Sequence, residues 1–372
     1  MKRVGPSQRA LKGMMRHGGR VFEASERLGR PLTEIIDFSS NINAFFDLNR
    51  VRELLRKRLD WLAFYPDLER SRRVLSSFLE IPVSNLWVGN GSSQLIYLVL
   101  QALKPREVLI PIPTFSEYER AALATGAKVS FLQLEEDGFR LRPQLLLDAL
   151  SHETEAVFLC NPNNPTGGLL SQEELVELHR TFERRGIWLL VDEAFVDFVS
   201  PEKKPSLERY ACEGRVLLFR SLTKVLAIPG LRLGYIIGPK RAVERVEGVS
   251  DPWPINIFAQ LVLEHLGELW RAFEEGLPRL FGQRRIFEEK LQELFDVFPS
   301  EANFFLVRTG IPSWILASFL LQKGILVREG RGFRGLREDF IRVAVRKAEE
   351  NSRLIEALKE AKASRGRLPQ RD

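Results

Sequence analysis

Lys224 carries the most reactive chemistry the sequence offers. It sits in the run Phe219-Arg-Ser-Leu-Thr-Lys-Val-Leu-Ala-Ile-Pro-Gly-Leu-Arg-Leu-Gly-Tyr235, just after an apolar segment, Val216 to Phe219, that reads as a buried strand. A lysine at a strand's C-terminal end can form an imine with an aldehyde once its amine has lost a proton. Ser221, Thr223 and Arg232 lie beside it, two small hydroxyl donors and one planar fork. That set suits a phosphate. An aldehyde and a phosphate on one molecule describe pyridoxal 5'-phosphate (PLP). Taken alone, the same residues also read as a surface lysine with a structural arginine.

Two further strand ends bear on that choice. Val191-Asp-Glu-Ala-Phe195 follows the apolar run Ile187 to Leu190, and an Asp there can pair with a pyridinium nitrogen and keep it protonated. Asn161-Pro-Asn-Asn-Pro-Thr-Gly167 follows Ala156 to Cys160 and is a turn by composition, with Asn164 able to donate to a phenolic oxygen. Asn, Asp and Lys in that order at three strand ends resemble the fold-type I PLP enzymes, the aspartate aminotransferase superfamily. The resemblance implies Lys224 as the Schiff-base lysine and Asp192 as the pyridinium partner. It implies Asn164 as the O3' contact, and Ser221 with Arg232 as phosphate ligands.

These groups need a scaffold that brings strand ends together. Apolar runs at 108–110, 129–134, 156–160, 187–191, 216–219 and 233–237 alternate with helical patterns such as 142–150 and 171–185. Such alternation calls for a mostly parallel sheet covered by helices on both faces, with ligands in the crevice at the strands' C-terminal ends. The superfamily makes that sheet seven-stranded, in an α/β fold. Ahead of it, helical patterns occupy 49–59 and 68–79, and Leu95–Leu103 reads as a buried helix. Gly89-Asn-Gly91 with Ser92 and Ser93 opens that last helix, whose free N–H groups can hold an anion; an ordinary capped helix is the other reading. Phe115, in Pro113-Thr-Phe-Ser-Glu-Tyr118, can stack on a pyridine ring or sit in the core at a helix start.

Ser250-Asp-Pro-Trp-Pro-Ile-Asn256 breaks the alternation and marks a boundary. The expected division is an N-terminal arm, 1–45, a large cofactor-binding domain, 46–250, and a smaller α+β domain, 251–372. In the last, a long helical stretch, 257–296, is expected to break near Gly276-Leu-Pro278.

Within the superfamily, two branches share Asn163-Asn-Pro-Thr-Gly167 and an Arg-x-x-Val pattern near the C-terminus: histidinol-phosphate aminotransferases and L-threonine-O-3-phosphate decarboxylases. The second is similar over nearly the whole chain. It matches at His17-Gly-Gly19, Asp37-Phe-Ser-Ser-Asn-Ile-Asn43, Tyr65-Pro-Asp67, Asp192-Glu-Ala-Phe195, Ala227-Ile-Pro-Gly-Leu-Arg-Leu-Gly234 and Ile341-Arg-Val-Ala-Val-Arg346. Phe195 and Phe115 stand where aminotransferases usually carry tyrosines. The resemblance implies Arg342, Arg328, His17 and Asn43 as substrate contacts. It also implies that Tyr65 reaches the cofactor phosphate of a neighbouring subunit, hence a homodimer. Departures lie at Ala44-Phe-Phe46, where the branch has Pro and Gly, and at Ser92-Ser-Gln94.

The implied reaction is decarboxylation of L-threonine O-3-phosphate to (R)-1-amino-2-propanol O-2-phosphate, with histidinol-phosphate transamination as the alternative. Composition is that of a globular protein, 44% hydrophobic and 28% charged. The net charge of +6 is interleaved rather than clustered, apart from a short basic tail at 362–371, so it speaks for small anions rather than nucleic acid. Two cysteines make neither a disulfide framework nor a zinc site, and no apolar run is long enough for a membrane span. A cytoplasmic enzyme without metal is expected. A PLP-binding regulator would need a DNA-binding domain that the arm is too short to supply, and an inactive scaffold would tolerate loss of Lys224.

Overall fold

The computed structural model describes residues 17–364; residues 1–16 of the expected arm and 365–371 of the basic tail lie outside the described residues. Thirteen strands are present among them: β1 Ile36–Asp37, β2 Leu86–Asn90, β3 Glu107–Ile112, β4 Lys128–Gln133, β5 Thr154–Cys160, β6 Trp188–Asp192, β7 Val216–Arg220, β8 Leu233–Ile237, β9 Asp296–Val297, β10 Phe304–Arg308, β11 Ile325–Leu326, β12 Arg328–Glu329 and β13 Phe340–Ala344. Seven form one sheet in the order β2-β8-β7-β6-β5-β3-β4. β8 runs antiparallel to both its neighbours, and the other pairings are parallel. β3, β5, β6 and β7 are almost wholly apolar because both their faces are covered.

One face carries helices Gly91–Leu103 and Lys240–Glu247 with Trp87, Leu95, Val99, Phe158 and Phe219 between them. The other carries helix Gln172–Arg185, started by a Ser171–Glu174 capping box and stopped by Gly186 at φ 72°. Its core runs on without a break into the C-terminal half. There β12-β13-β10-β9 form an antiparallel sheet. Helices Leu266–Gln292, Ser313–Gln322 and Ala348–Ala363 belong to the same half. β1 pairs in parallel with β11 in a separate two-stranded sheet, and the Phe38 carbonyl accepts the Ala344 N–H at 2.9 Å, tying the segment after Asp37 to the end of β13.

The sheet's register sets the functional edge. Cys160 lies opposite Asp192, and Asp192 opposite Phe219, so β5, β6 and β7 end level with one another. The Asn164 turn, Asp192 and the Lys224 turn therefore emerge side by side.

The structure corrects one local expectation and adds two features that the sequence pattern does not show. β2 is a strand that the sequence pattern misses, because Leu86-Trp-Val-Gly-Asn90 is short and holds a glycine. The long helical stretch breaks at His265 rather than near Gly276-Leu-Pro278, and Leu266–Gln292 is continuous through Pro278. Gly276 is used for close packing instead: a Cβ there would sit 3.1 Å from the Phe45 carbonyl oxygen. The run Ile325–Arg328 is not one strand. It divides at Val327 between two sheets. No helix among the described residues is long and apolar enough to cross a membrane.

Candidate active site

Eleven of the residues singled out from sequence line one cavity of about 360 Å³ at the strand ends: His17, Ser92, Ser93, Phe115, Asn164, Asp192, Ser221, Lys224, Arg232, Arg328 and Arg342. They come from the N-terminal segment, the large sheet and the small sheet.

Lys224 stands in a single helical turn, Leu222–Val225, just beyond β7. Its Nζ donates to the Ser40 carbonyl oxygen at 2.9 Å. Burial lowers its pKa to about 8, helped by Arg342 and Arg232 and opposed by Asp37 and Asp192. An amine so placed has an appreciable neutral, nucleophilic fraction near neutrality. Asp192, buried at the end of β6, accepts from the Tyr118 hydroxyl at 2.7 Å and from the Ala194 N–H at 2.9 Å. Burial raises its pKa to about 6, against the pull of those two donors and of Lys224. A buried carboxylate held this way suits a cationic partner that would lower its pKa again.

A set of anion-binding donors lines the same cavity. Helix Gly91–Leu103 begins at the end of β2 and presents its first N–H groups with the Ser92 and Ser93 hydroxyls. Arg232 lies against the start of that helix. Gly91 has φ +77°, and a Cβ there would fall 2.5 Å from Arg232 Nη2. Arg232 itself adopts φ 55° and makes no ion pair among the described residues. An unpaired half-buried guanidinium facing free helix N–H groups and the Ser221 hydroxyl is chemically matched to a phosphate dianion. These donors, with Lys224 and Asp192 in the same cavity, fit PLP.

The opposite wall is built by the small sheet. Arg328 and Arg342 are register partners on β12 and β13, so both side chains leave the same face. Arg342 donates to the Asn164 side-chain oxygen and to the Ser39 carbonyl, while its Nε has no partner. The first of these bonds occupies the Asn164 side-chain oxygen and leaves its amide nitrogen to donate elsewhere. Burial pushes Arg342 down to about 9 and Arg328 to about 10; both stay charged at neutral pH. Phe333 backs them, its ring 4.9 Å from the Arg328 guanidinium carbon and 5.8 Å from that of Arg342.

Three residues singled out from sequence are elsewhere. The Thr223 hydroxyl donates to the Leu233 carbonyl and accepts the Leu233 N–H, both at 3.1 Å, so it fastens β8 rather than facing the cavity. Asn43 is buried with its amide bonded to the Val225 carbonyl and the Phe45 N–H; it supports the lysine turn and does not line the cavity. Tyr65 is 75% exposed, stacks on Trp253 at 4.3 Å and does not line this chain's own cavity.

Asn41, not Asn43, faces the cavity. It is 1% exposed and holds φ 52°, and neither of its amide atoms has a partner. A buried amide left unpaired costs about 1–3 kcal/mol, a cost a polar ligand removes. Asparagine's tolerance of the left-handed region is the sequence signal, but two asparagines two residues apart share it. Tyr118, which holds Asp192, carries no sequence signal of that role.

The family model described as aminotransferase class I and II matches residues 33–358. The chain is 34% identical over 351 residues to threonine-phosphate decarboxylase of Salmonella typhimurium, covering 92% of this chain and 95% of that one. It is 32% identical over 337 residues to histidinol-phosphate aminotransferase 2 of Archaeoglobus fulgidus, covering 89% and 94%. In fold it is similar to the crystal structure of L-threonine-O-3-phosphate decarboxylase from Porphyromonas gingivalis, with TM-score 0.79 and 26% identity, covering 87% and 98%.

Proposed function

The chain belongs to the aminotransferase class I and II family, whose cofactor is PLP, and from that premise we propose that it decarboxylates L-threonine O-3-phosphate. The product is (R)-1-amino-2-propanol O-2-phosphate, the aminopropanol unit of cobalamin synthesis. The observation that carries this reading is the pair of buried arginines, Arg328 and Arg342, on neighbouring strands of one wall. Two fixed cations beside an unpaired Asn41 and an imidazole from His17 match a ligand with two anionic groups, a carboxylate and a phosphate.

The bound cofactor supplies an aldehyde that condenses with an amine and a pyridinium ring that accepts the electron pair of the bond broken at Cα. The chain's residues do the rest. Ser92, Ser93, Ser221 and Arg232 hold the cofactor phosphate. Asp192 keeps a proton on the ring nitrogen, and Tyr118 fixes its carboxylate. Asn164 donates to the phenolic oxygen through the nitrogen that Arg342 leaves free, and Phe115 forms the wall beside the ring. Arg342 and Arg328 would clamp the substrate's anions, and the clamp would decide which Cα bond is poised to break. With the cofactor bound, that clamp would let the Cα–carboxylate bond break with loss of CO2, and Lys224 as an ammonium would supply the proton that replaces the carboxylate on Cα.

Histidinol-phosphate transamination is the second reading, favoured by the comparable similarity to those aminotransferases. It has Lys224 remove the Cα proton, and it needs a keto acid to complete the cycle. Tyr65 supports a shared-site homodimer. It crowns an exposed apolar strip of Leu59, Leu62, Phe64 and Trp253, apolar area that a second copy would cover. The division at about residue 250 into a cofactor domain and a small domain, with the arm through residue 45, belongs to the same proposal.

Incubating the PLP-loaded enzyme with L-threonine O-3-phosphate and no keto acid tests the reading. Release of CO2 with aminopropanol phosphate is expected. Product that forms only after 2-oxoglutarate is added would shift the assignment to transamination.

A further inference from the structure

The helix Glu117–Ala124 lies at the rim of the cavity and carries two carboxylates that the reaction does not use. Glu117 gathers donors from separate segments. His17 Nε2 lies 2.8 Å from its Oε1, Arg120 Nη1 donates to the same oxygen at 2.8 Å, and the Tyr97 hydroxyl donates to Oε2 at 2.8 Å. Burial opposes its charge, but those hydrogen bonds outweigh burial and hold its carboxyl at about 2. The segment so tied lines the cavity through His17 and Gly18. Gly19 N–H donates to Ser39 Oγ at 2.8 Å, and a Cβ on Gly18 would collide with the Ser39 carbonyl oxygen, the atom that Arg342 also binds.

Glu119 holds a different piece. Arg334 forks onto it, Nε to Oε2 at 3.0 Å and Nη2 to Oε1 at 2.6 Å, a contact spanning 215 residues of sequence. Phe131 of β4 lies under the same guanidinium, 4.7 Å from its carbon. Arg334 follows Phe333, the ring that backs Arg328 and Arg342. Gly332 comes close enough to Arg328 that a Cβ there would fall 2.7 Å from Nη2. Two residues apart on a helix, the carboxylates point to different sides, so each fastens its own segment.

We propose that Glu117 and Glu119 are positioning residues: the first fixes His17 over the cavity, and the second fixes the 330–336 loop whose Phe333 sets the two arginines. The substrate-anion wall is thus assembled on one helix of the large sheet by contacts from both ends of the chain. Its bearing on substrate rests on the threonine-phosphate reading above; the latches themselves do not.

A charge swap tests it on the full-length, PLP-loaded protein. In Glu119→Arg, the new cation faces Arg334 and releases the loop; adding Arg334→Glu rebuilds the pair in reverse. Backbone hydrogen exchange in peptides covering 330–337 should quicken about 10-fold in the single variant and return to within about 3-fold of the unmodified rate in the double. KM for L-threonine O-3-phosphate should rise by about 10-fold with kcat within about 3-fold, and should recover with the swap. If Glu119→Arg does not fold, Glu119→Gln keeps the shape, drops the charge and carries the same comparison with a smaller change. Glu117→Gln should quicken exchange in the peptide that starts at His17 and leave 330–337 unchanged. Unchanged exchange in the single variants overturns the latches. Faster exchange with unchanged KM overturns their positioning role. No turnover by the unmodified protein counts against the substrate, while the exchange comparison still decides the latches.

Discussion

Replacing Asp192 by asparagine is expected to stabilise the cofactor-free protein while disabling it. The carboxyl is pushed by burial from its ordinary value of 3.8 to about 6. Between those values the native state keeps a proton that the unfolded chain has released. Stability therefore falls as pH rises through that window. At about 1.36 kcal/mol for each pH unit between the two values, the loss amounts to roughly 1.5 kcal/mol by pH 5 and roughly 3 kcal/mol by pH 7. Asparagine never ionises. It keeps an oxygen for the Ala194 N–H and an amide that the Tyr118 oxygen can accept. Glu193, also raised by burial to about 7, is present in both proteins and drops out of the comparison. Urea unfolding of the two cofactor-free proteins should show the variant gaining roughly 1.5 kcal/mol on the unmodified protein between pH 5 and pH 7. With saturating PLP the order should reverse, because only the carboxylate pairs with a protonated ring nitrogen and draws stability from the bound cofactor. A stability difference that ignores pH, or a variant that gains as much from PLP, would refute the argument.

Arg232→Ala removes a charge-assisted fork from the phosphate cradle and should weaken PLP binding roughly 10- to 100-fold by fluorescence titration. Gly91→Ala forces a side chain into φ +77° and against Arg232 Nη2. It should cost about 1–2 kcal/mol in urea unfolding and also weaken PLP binding. Lys224 has its pKa depressed to about 8, so its reactive neutral fraction grows as pH rises through that value. The rate of PLP capture in stopped-flow absorbance should climb with a midpoint near pH 8, and Lys224→Arg should abolish the signal. Exchanging Asn41 for Ala should raise KM while Asn43→Ala lowers thermal stability, since only the first faces the cavity.

The sheet was legible because its strands are buried on both faces and so appear as continuous apolar runs. Lys224, Asp192 and Asn164 were legible because each lies at or shortly past the end of such a run. Arg328 and Arg342 were placed by resemblance, and their adjacency depends on a strand pairing that composition does not reveal. Thr223 and Asn43 misled for one reason. A hydroxyl or amide beside a catalytic loop serves equally to hold that loop's backbone, and only the hydrogen-bond partners Leu233, Val225 and Phe45 decide which. Glu117 and Glu119 read as ordinary helix-surface acids, because their partners His17 and Arg334 lie 100 and 215 residues away.

Borohydride reduction of the PLP-loaded protein, followed by peptide mass spectrometry, tests the chemistry most directly. One phosphopyridoxyl group per chain is expected, on the peptide that contains Lys224. The same mass on any other lysine, or none after reduction of protein that has bound the cofactor, would contradict it.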